Sequence, residues 1–185
     1  MKSLKGIFTG IGFVACMGMA AQVFADDIDA DDFVDEASAK GIAEVDAGKL
    51  ALQKSTSPIV KSFAQQMIND HTKANTELSA IAKSKKLEVA SEAELKNKAK
   101  AFILKQRDGE SFDEAYANNQ VMAHKEAIAL FKKGLSTDDA DINAYAKSIL
   151  PKLEHHLQMA EELAQQTTAA NGKTTHSDSN SSRSH

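Results

Sequence analysis

The sequence has one cysteine, no tryptophan, two prolines and only 5 % aromatic residues among its 185 positions. Because strands are enriched in aromatic and β-branched residues, this composition favours helices over sheets. The formal net charge of −4 gives no reason to expect a nucleic-acid partner. The sequence therefore predicts an all-α protein that does not act on DNA or RNA.

The first 25 residues have the pattern of a secretory signal peptide. A basic start at residues 1–5 precedes an apolar stretch at 7–21, and small residues then lead to Ala25 and an acidic segment. The apolar stretch is shorter than the roughly 20 residues that a membrane span needs, so no stable span is expected after cleavage. We expect an exported, most simply periplasmic protein. Lipid attachment at Cys16 is the alternative.

Export also limits the chemistry of any site. The single cysteine, Cys16, lies inside the predicted signal, so the mature chain would have no thiol and no disulfide. Imidazole, carboxylate and amide groups would then have to hold any metal ion. This ligand set leaves Zn, Cu(II), Fe and Mn open as divalent metals.

The mature chain is predicted to form one helical domain at residues 26–166, followed by a disordered Ser/Thr-rich tail at 167–185. Four long helices are expected at about 32–54, 58–85, 111–133 and 138–166. An intermediate helix is expected from about 91 to 107, with Leu95, Ala99, Phe102 and Ile103 facing inward. Pro151 predicts either a kink in the last helix or a break that divides it into two shorter helices.

The intermediate segment suggests how the long helices are connected. Residues 86–110 are long enough to carry the chain from one end of a bundle to the other, since a helix rises about 1.5 Å per residue. The flanking long helices would then run parallel, as in ferritin-like four-helix bundles with one crossover. A plain up-and-down order is the alternative. Gly41 and Gly48 in the first helix predict a close approach to a neighbouring helix.

Polar residues interrupt the apolar stripes of these helices at similar heights. His71, His124 and His156 each occupy a position where the four-three spacing calls for an apolar residue. Glu44 lies on the small-residue face of the first helix. Because the midpoints of packed helices meet at one level, these four side chains are expected to converge inside the bundle.

Buried imidazole and carboxylate groups need partners, and a metal ion is one way to supply them. The spacing predicts a metal site with Glu44, His71, His124 and His156 as ligands. Possible supporting residues are Asp70, Asn75, Gln120, Glu154 and His155. The alternative is a hydrogen-bonded network in which the same residues only fix the helix packing.

The sequence contains none of the common catalytic motifs. It has no Ser-His-Asp or Cys-His arrangement, no glycine-rich phosphate loop and no HExxH motif. These absences favour a protein without turnover.

Two groups of motifs resemble a known family. The first group is Phe33-Val34, Gly41-Ile42-Ala43-Glu44-Val45, Gly48-Lys49-Leu50-Ala51, Val60-Lys61-Ser62-Phe63-Ala64 and Met67-Ile68-Asn69-Asp70-His71-Thr72-Lys73-Ala74-Asn75. The second group is Phe112-Asp113, Tyr116, His124, Leu150-Pro151 and His155-His156-Leu157. Over about residues 32–164, the chain is similar to the exported bacterial family known as "domain of unknown function 4142", whose members are labelled outer-membrane or periplasmic proteins. The resemblance implies a ferritin-like bundle and no established activity.

The ferritin-like association raises the question of a di-iron centre. Such centres use Glu-x-x-His twice, with a further glutamate from each of two other helices. The residues three before His71, His124, His155 and His156 are Ile68, Val121, Lys152 and Leu153, and none is acidic. The sequence therefore argues against ferroxidase chemistry.

Three functions remain consistent with the sequence. The leading hypothesis is an exported protein that binds or buffers a metal ion without turnover. The alternative is a structural or stress-related protein of the cell envelope, in which the polar centre only fixes helix packing. An enzyme with one metal ion would require an open, solvent-accessible coordination position.

Overall fold

The computed structural model describes the backbone of residues 28–93 and 95–181, and the regular secondary structure in these ranges is helical, without a strand. Its helices are α1 (Ala30–Lys54), α2 (Pro58–Lys85), α3 (Leu95–Lys105), α4 (Gly109–Gly134) and α5 (Ala140–Ser181). The predicted all-α class is confirmed. Within the described ranges, no helix is both long enough and apolar enough to cross a membrane. The predicted signal peptide, including Cys16, lies outside the described residues.

The last helix differs from the prediction in two ways. It continues to Ser181 instead of ending near Gln166, and it passes through Pro151 without interruption. Ile149 and Leu153 on either side of the proline are buried in the core, so tertiary packing holds the helix together there. The prediction of two shorter helices is therefore wrong. The domain boundary at residue 166 stays a prediction.

Two apolar clusters lie at opposite ends of the bundle. The Phe33 cluster joins the start of α1, the end of α2, the end of α4 and the start of α5, represented by Phe33, Leu78, Phe131 and Ile142. The Phe63 cluster joins the opposite ends of the same helices, represented by Ala51, Phe63, Phe112 and Leu163. Helices α2 and α4 therefore run parallel, and both are antiparallel to α1 and α5.

The connection between α2 and α4 spans the whole bundle. Leu87, just after α2, packs against the Phe33 cluster, whereas Leu104 in α3 belongs to the Phe63 cluster. Helix α1 packs on α2 and α4, and α5 packs on the same two helices. This is the connectivity of a ferritin-like bundle with the extra helix in its crossover, and the up-and-down alternative is wrong.

Helix α3 differs from the prediction at Phe102 and Ile103, whereas the side chains of Leu95 and Ala99, also predicted to face inward, lie outside the described residues. Phe102 and Ile103 are 65 % and 57 % exposed, whereas Leu104 is buried. Asn97 and Ala101, at helical spacing before Leu104, are partly buried. Among the described side chains of α3, this narrow stripe faces α1 and α4, and the two large apolar residues beside it point outward.

The two glycines of α1 allow α2 to approach closely, as the sequence predicts. A Cβ atom on Gly48 would lie 2.7 Å from Ile68 Cγ1 and 3.0 Å from the carbonyl oxygen of Ala64. A Cβ atom on Gly41 would collide with the side-chain amide of Asn75. Gly41 and Gly48 therefore allow α1 and α2 to pack closely at two heights, one before and one after Glu44.

Replacing Gly48 with leucine is expected to destabilise the fold by about 1–3 kcal/mol or more, since overpacking forces side chains and backbone apart. The free energy of unfolding by urea measures this effect. Glu36→Leu on the exposed face of α1 is the matched control and should change it little. Equal stabilities of the two variants would contradict the close approach described here.

Candidate metal centre

Three histidines from three helices meet between the two apolar clusters. His71 lies on α2, His124 on α4 and His156 on α5, and their exposed fractions are 7 %, 1 % and 1 %. The centroids of the three rings are 5.4–5.6 Å apart. The predicted convergence of these side chains is therefore what the structure shows.

The ring nitrogens are close enough to share one ligand. One nitrogen from each ring lies within 4.8 Å of the nitrogens from the other two. His71 Nε2, His124 Nε2 and His156 Nδ1 are buried, and none has a hydrogen-bond partner within the described part of the chain. Buried polar atoms without partners are rare in folded proteins, so three together point to a guest that they bind.

Hydrogen bonds fix the tautomers of two of these rings. His124 Nδ1–H donates to the carbonyl oxygen of Gln120 over 2.9 Å, and His156 Nε2–H donates to Asp70 Oδ2 over 3.0 Å. In a neutral imidazole the other nitrogen then carries a lone pair. His124 Nε2 and His156 Nδ1 are therefore unprotonated and available as ligands.

A lysine that the sequence analysis does not identify completes the support of His156. Lys152 Nζ lies 3.2 Å from Asp70 Oδ1, while the other oxygen of Asp70 accepts from His156. Lys152 precedes His156 by one helical turn, so both side chains can reach one carboxylate. That spacing is the only sequence signal for its role, and it is too common to identify a site.

Burial keeps His71 and His156 neutral. Burial and the neighbouring imidazoles lower the pKa of His71 from 6.5 to about 3. Burial also lowers the pKa of His156 to about 4, although the hydrogen bond to Asp70 acts in the opposite direction. Burial alone would raise the pKa of Asp70, but the hydrogen bonds from His156 and Lys152 outweigh it and leave the pKa below its ordinary value. His71 and His156 are therefore neutral imidazoles beside an ionised Asp70 at neutral pH.

The three nitrogens fit a first-row metal ion. Nitrogen ligands at about 2.0–2.1 Å from a tetrahedral metal lie roughly 3.3 Å from one another. Nitrogens that already lie within 4.8 Å can reach this spacing by side-chain rotation. Ligand imidazoles usually donate their second N–H to a carboxylate or a carbonyl oxygen, as His156 and His124 do here.

Glu44 lies beside this set without being part of it. It is buried, and it lines a cavity of about 30 Å³ together with His71, His124 and Asn75. The group of side chains close enough to share an ion consists of the histidines and does not include Glu44. The role of Glu44 as a fourth ligand therefore stays a prediction. Asn75, a predicted supporting residue, lies at the wall of the same cavity.

The other predicted supporting residues have different positions. Gln120 supports His124 through its backbone carbonyl, while its side-chain amide is buried without a hydrogen-bond partner among the described residues. Glu154 and His155 are exposed on α5, and the structure does not bring them to the centre. The reason is helix geometry, since a residue next to His156 in sequence points about 100° away from it.

A further row of buried polar atoms continues along α4. Asp113 Oδ1, the Tyr116 hydroxyl and the Gln120 amide are buried, and each lacks a hydrogen-bond partner within the described ranges. Burial, with a smaller contribution from the negative charge of Glu44, raises the pKa of Tyr116 well above its ordinary value. Asp113 and Tyr116 are named from sequence only as motifs of the family resemblance and receive no role in the site, because their aromatic and polar neighbours are typical of an ordinary core face.

Replacing Asp70 with asparagine is expected to weaken metal binding roughly 10- to 100-fold, the usual effect of losing a carboxylate behind a histidine ligand. The neutral amide lacks the negative charge of Asp70 that favours the Nε2–H tautomer of His156. Competition titration with a chromophoric chelator measures the affinity. Glu77→Gln, an exposed change on the same helix, is the control. An unchanged affinity in the Asp70 variant would show that this carboxylate does not support the centre.

The fold and the site define an all-α bundle with a buried centre of three histidines. The chain belongs to the family described as Domain of unknown function (DUF4142), which matches residues 16–163. No curated protein sequence matches the chain.

A solved structure, "CopM in the Cu(II)-bound form", has the same fold, with a TM-score of 0.65 and 15 % sequence identity. The similarity covers 76 % of this chain and 98 % of that chain.

Proposed function

We propose that this protein binds a divalent transition-metal ion through His71, His124 and His156, as a binding or buffering protein without turnover. The observation that carries the proposal is the set of three buried ring nitrogens without hydrogen-bond partners within the described residues. Two of the rings are oriented by a carboxylate and a carbonyl group on their far sides. A network that served only helix packing would be expected to pair these nitrogens with one another or with other groups.

The ligand set favours Cu(II) first and Zn(II) second. Imidazole nitrogen suits both ions, and at a given nitrogen site Cu(II) binds most tightly among the divalent first-row metals. The similar bundle described as Cu(II)-bound supports the same choice. Fe and Mn are weaker candidates, because the set of three histidines contains no carboxylate ligand.

The inner cavity beside the histidines has room for a small further ligand of the metal and not for a small-molecule substrate. Its volume of about 30 Å³ accommodates a water molecule as a further ligand. Pockets for small-molecule substrates have volumes of roughly 300–1,000 Å³, an order of magnitude larger. The predicted export of the protein would place this site outside the cytoplasm, in the periplasm or at a lipid anchor on Cys16.

Metal analysis of the untagged protein tests the proposal, since an affinity tag would add its own histidines. Titration with Cu(II) should saturate at one equivalent, and the electron paramagnetic resonance spectrum should show several coupled imidazole nitrogens. Sub-stoichiometric binding without nitrogen coupling would contradict the proposal. It would favour instead a structural or stress-related envelope protein with a purely structural polar centre.

A further inference from the structure

Two cavities of the bundle meet at Glu44. His71 and His124 line the inner cavity. A groove of about 370 Å³ lies outside it between α1, α3 and α4. Their walls share the residues Ala43, Glu44, Asn97 and Ala123. The groove therefore adjoins the inner cavity along this shared wall, and Glu44 lines both of them.

The junction is unusually polar for a bundle interior. Glu44 is 7 % exposed, and its Oε2 has no hydrogen-bond partner in the described part of the protein. Burying a carboxylate in this way costs free energy unless a polar or charged guest reaches it. The unpaired Oε2 of Glu44 therefore points to a guest that passes or occupies the junction.

Four lysines line the groove, and three of them, Lys49, Lys98 and Lys100, have a carboxylate partner. Lys100 pairs with Glu126 at 3.3 Å, and Lys98 pairs with Glu92 at 2.6 Å. Lys49 pairs with Asp46 at 3.7 Å. Because each of these lysines has a carboxylate beside it, their net effect on an approaching cation is reduced. The carboxylate of Glu44 then provides the attraction at the floor of the groove.

The opposite side of the centre is less open to a cation. Asp70 is the carboxylate there, and both its oxygens already accept hydrogen bonds, one from His156 and one from Lys152. The positive charge of Lys152 also lies beside that side of the centre. An ion entering there would have to displace both contacts, whereas Glu44 Oε2 has none to lose.

We propose that the groove beneath α3 is the route by which a divalent cation reaches the three histidines, with Glu44 as the transfer ligand at its inner end. This inference rests on the proposed metal binding. Glu44 then determines how fast the metal ion enters and leaves, whereas the three histidines determine the affinity.

Stopped-flow measurement of Cu(II) association, and of release to a chelator, tests the inference on the full-length protein. Glu44→Gln should slow association and release by the same factor, at least about tenfold, the lower end of what a guiding charge contributes to an association rate. The equilibrium affinity should change little. Glu36→Gln, an exposed change on the same helix, should leave both rates unaltered. Ala123→Phe, which fills the shared wall, should slow both rates without removing a charge.

Different results would overturn the inference in different ways. An association rate of Glu44→Gln equal to that of the wild type would show that the ion takes another route. A loss of affinity through faster release, with association unchanged, would make Glu44 a permanent ligand. The absence of stoichiometric Cu(II) binding by the wild-type protein would contradict the proposed function itself, and the proposed route would then have no basis.

Discussion

His124→Ala is expected to weaken Cu(II) binding by on the order of 100-fold or more, since even residues behind the ligands are worth roughly 10- to 100-fold in metal affinity. His124 supplies one of the three facing nitrogens, and its Nδ1–H bond to Gln120 already fixes the orientation of its ring. No other nitrogen ligand of the described centre can replace it, because His155 is exposed on the far side of α5. Isothermal titration or competition with a chelator measures the loss.

His155→Ala provides the control for this experiment. It removes a histidine next to His156 in sequence, but an exposed one, so the affinity should remain that of the wild type. The thermal midpoint adds a second measurement, since ligand at about 100 times its dissociation constant adds roughly 2.7 kcal/mol to the stability. This shift should be present in the wild type and in His155→Ala, and absent in His124→Ala. Equal metal content in both variants would contradict the three-histidine site.

The metal-free protein is expected to lose stability as the pH falls from about 6.5 towards 4. The folded-state pKa values of His71 and His156 are lowered to about 3 and about 4, whereas an unfolded histidine titrates near 6.5. Between these values the unfolded state binds more protons than the folded state. Stability is therefore fully present above the unfolded pKa and decreases by about 1.4 kcal/mol per pH unit for each such histidine as the pH falls.

Urea unfolding of the chelator-treated protein at pH 7 and pH 5 measures this slope. The double variant His71→Leu, His156→Leu should show a much flatter dependence in the same window. The lowered pKa of Asp70 acts in a separate range, because its contribution is lost only as the pH falls below the ordinary aspartate value of 3.8. A wild-type stability that is equal at pH 7 and pH 5 would contradict the neutral, buried state of the histidines.

The sequence predicts the main features of the fold because they depend on regular spacing. The apolar stripes of the long helices give their positions and their inward faces. The gaps in those stripes then identify His71, His124 and His156, since a buried histidine interrupts an otherwise apolar pattern. The length of the segment before α4 predicts the crossover. These inferences need only helix geometry, which is nearly invariant.

Other features depend on contacts between helices, which periodicity does not specify. The Asp70–Lys152 pair joins α2 to α5 across a separation of 82 residues, and no local sequence pattern predicts it. Which face of α3 lies on the bundle depends on the surface beneath it, so Phe102 and Ile103 are assigned wrongly from sequence. The end of α5 at Ser181 lies within a polar segment where propensity alone favours a loop.

The parallel arrangement of α2 and α4 has a mechanical consequence. The bundle consists of two helical hairpins, α1–α2 and α4–α5, and the crossover through α3 is their covalent connection. His71 belongs to the first hairpin, whereas His124 and His156 belong to the second. An ion held by all three would therefore connect the hairpins to each other at mid-height, as a disulfide does in many exported domains, in a chain whose single cysteine is Cys16. The two hairpins would then resist separation when the metal ion is bound and would lose that resistance when it is released.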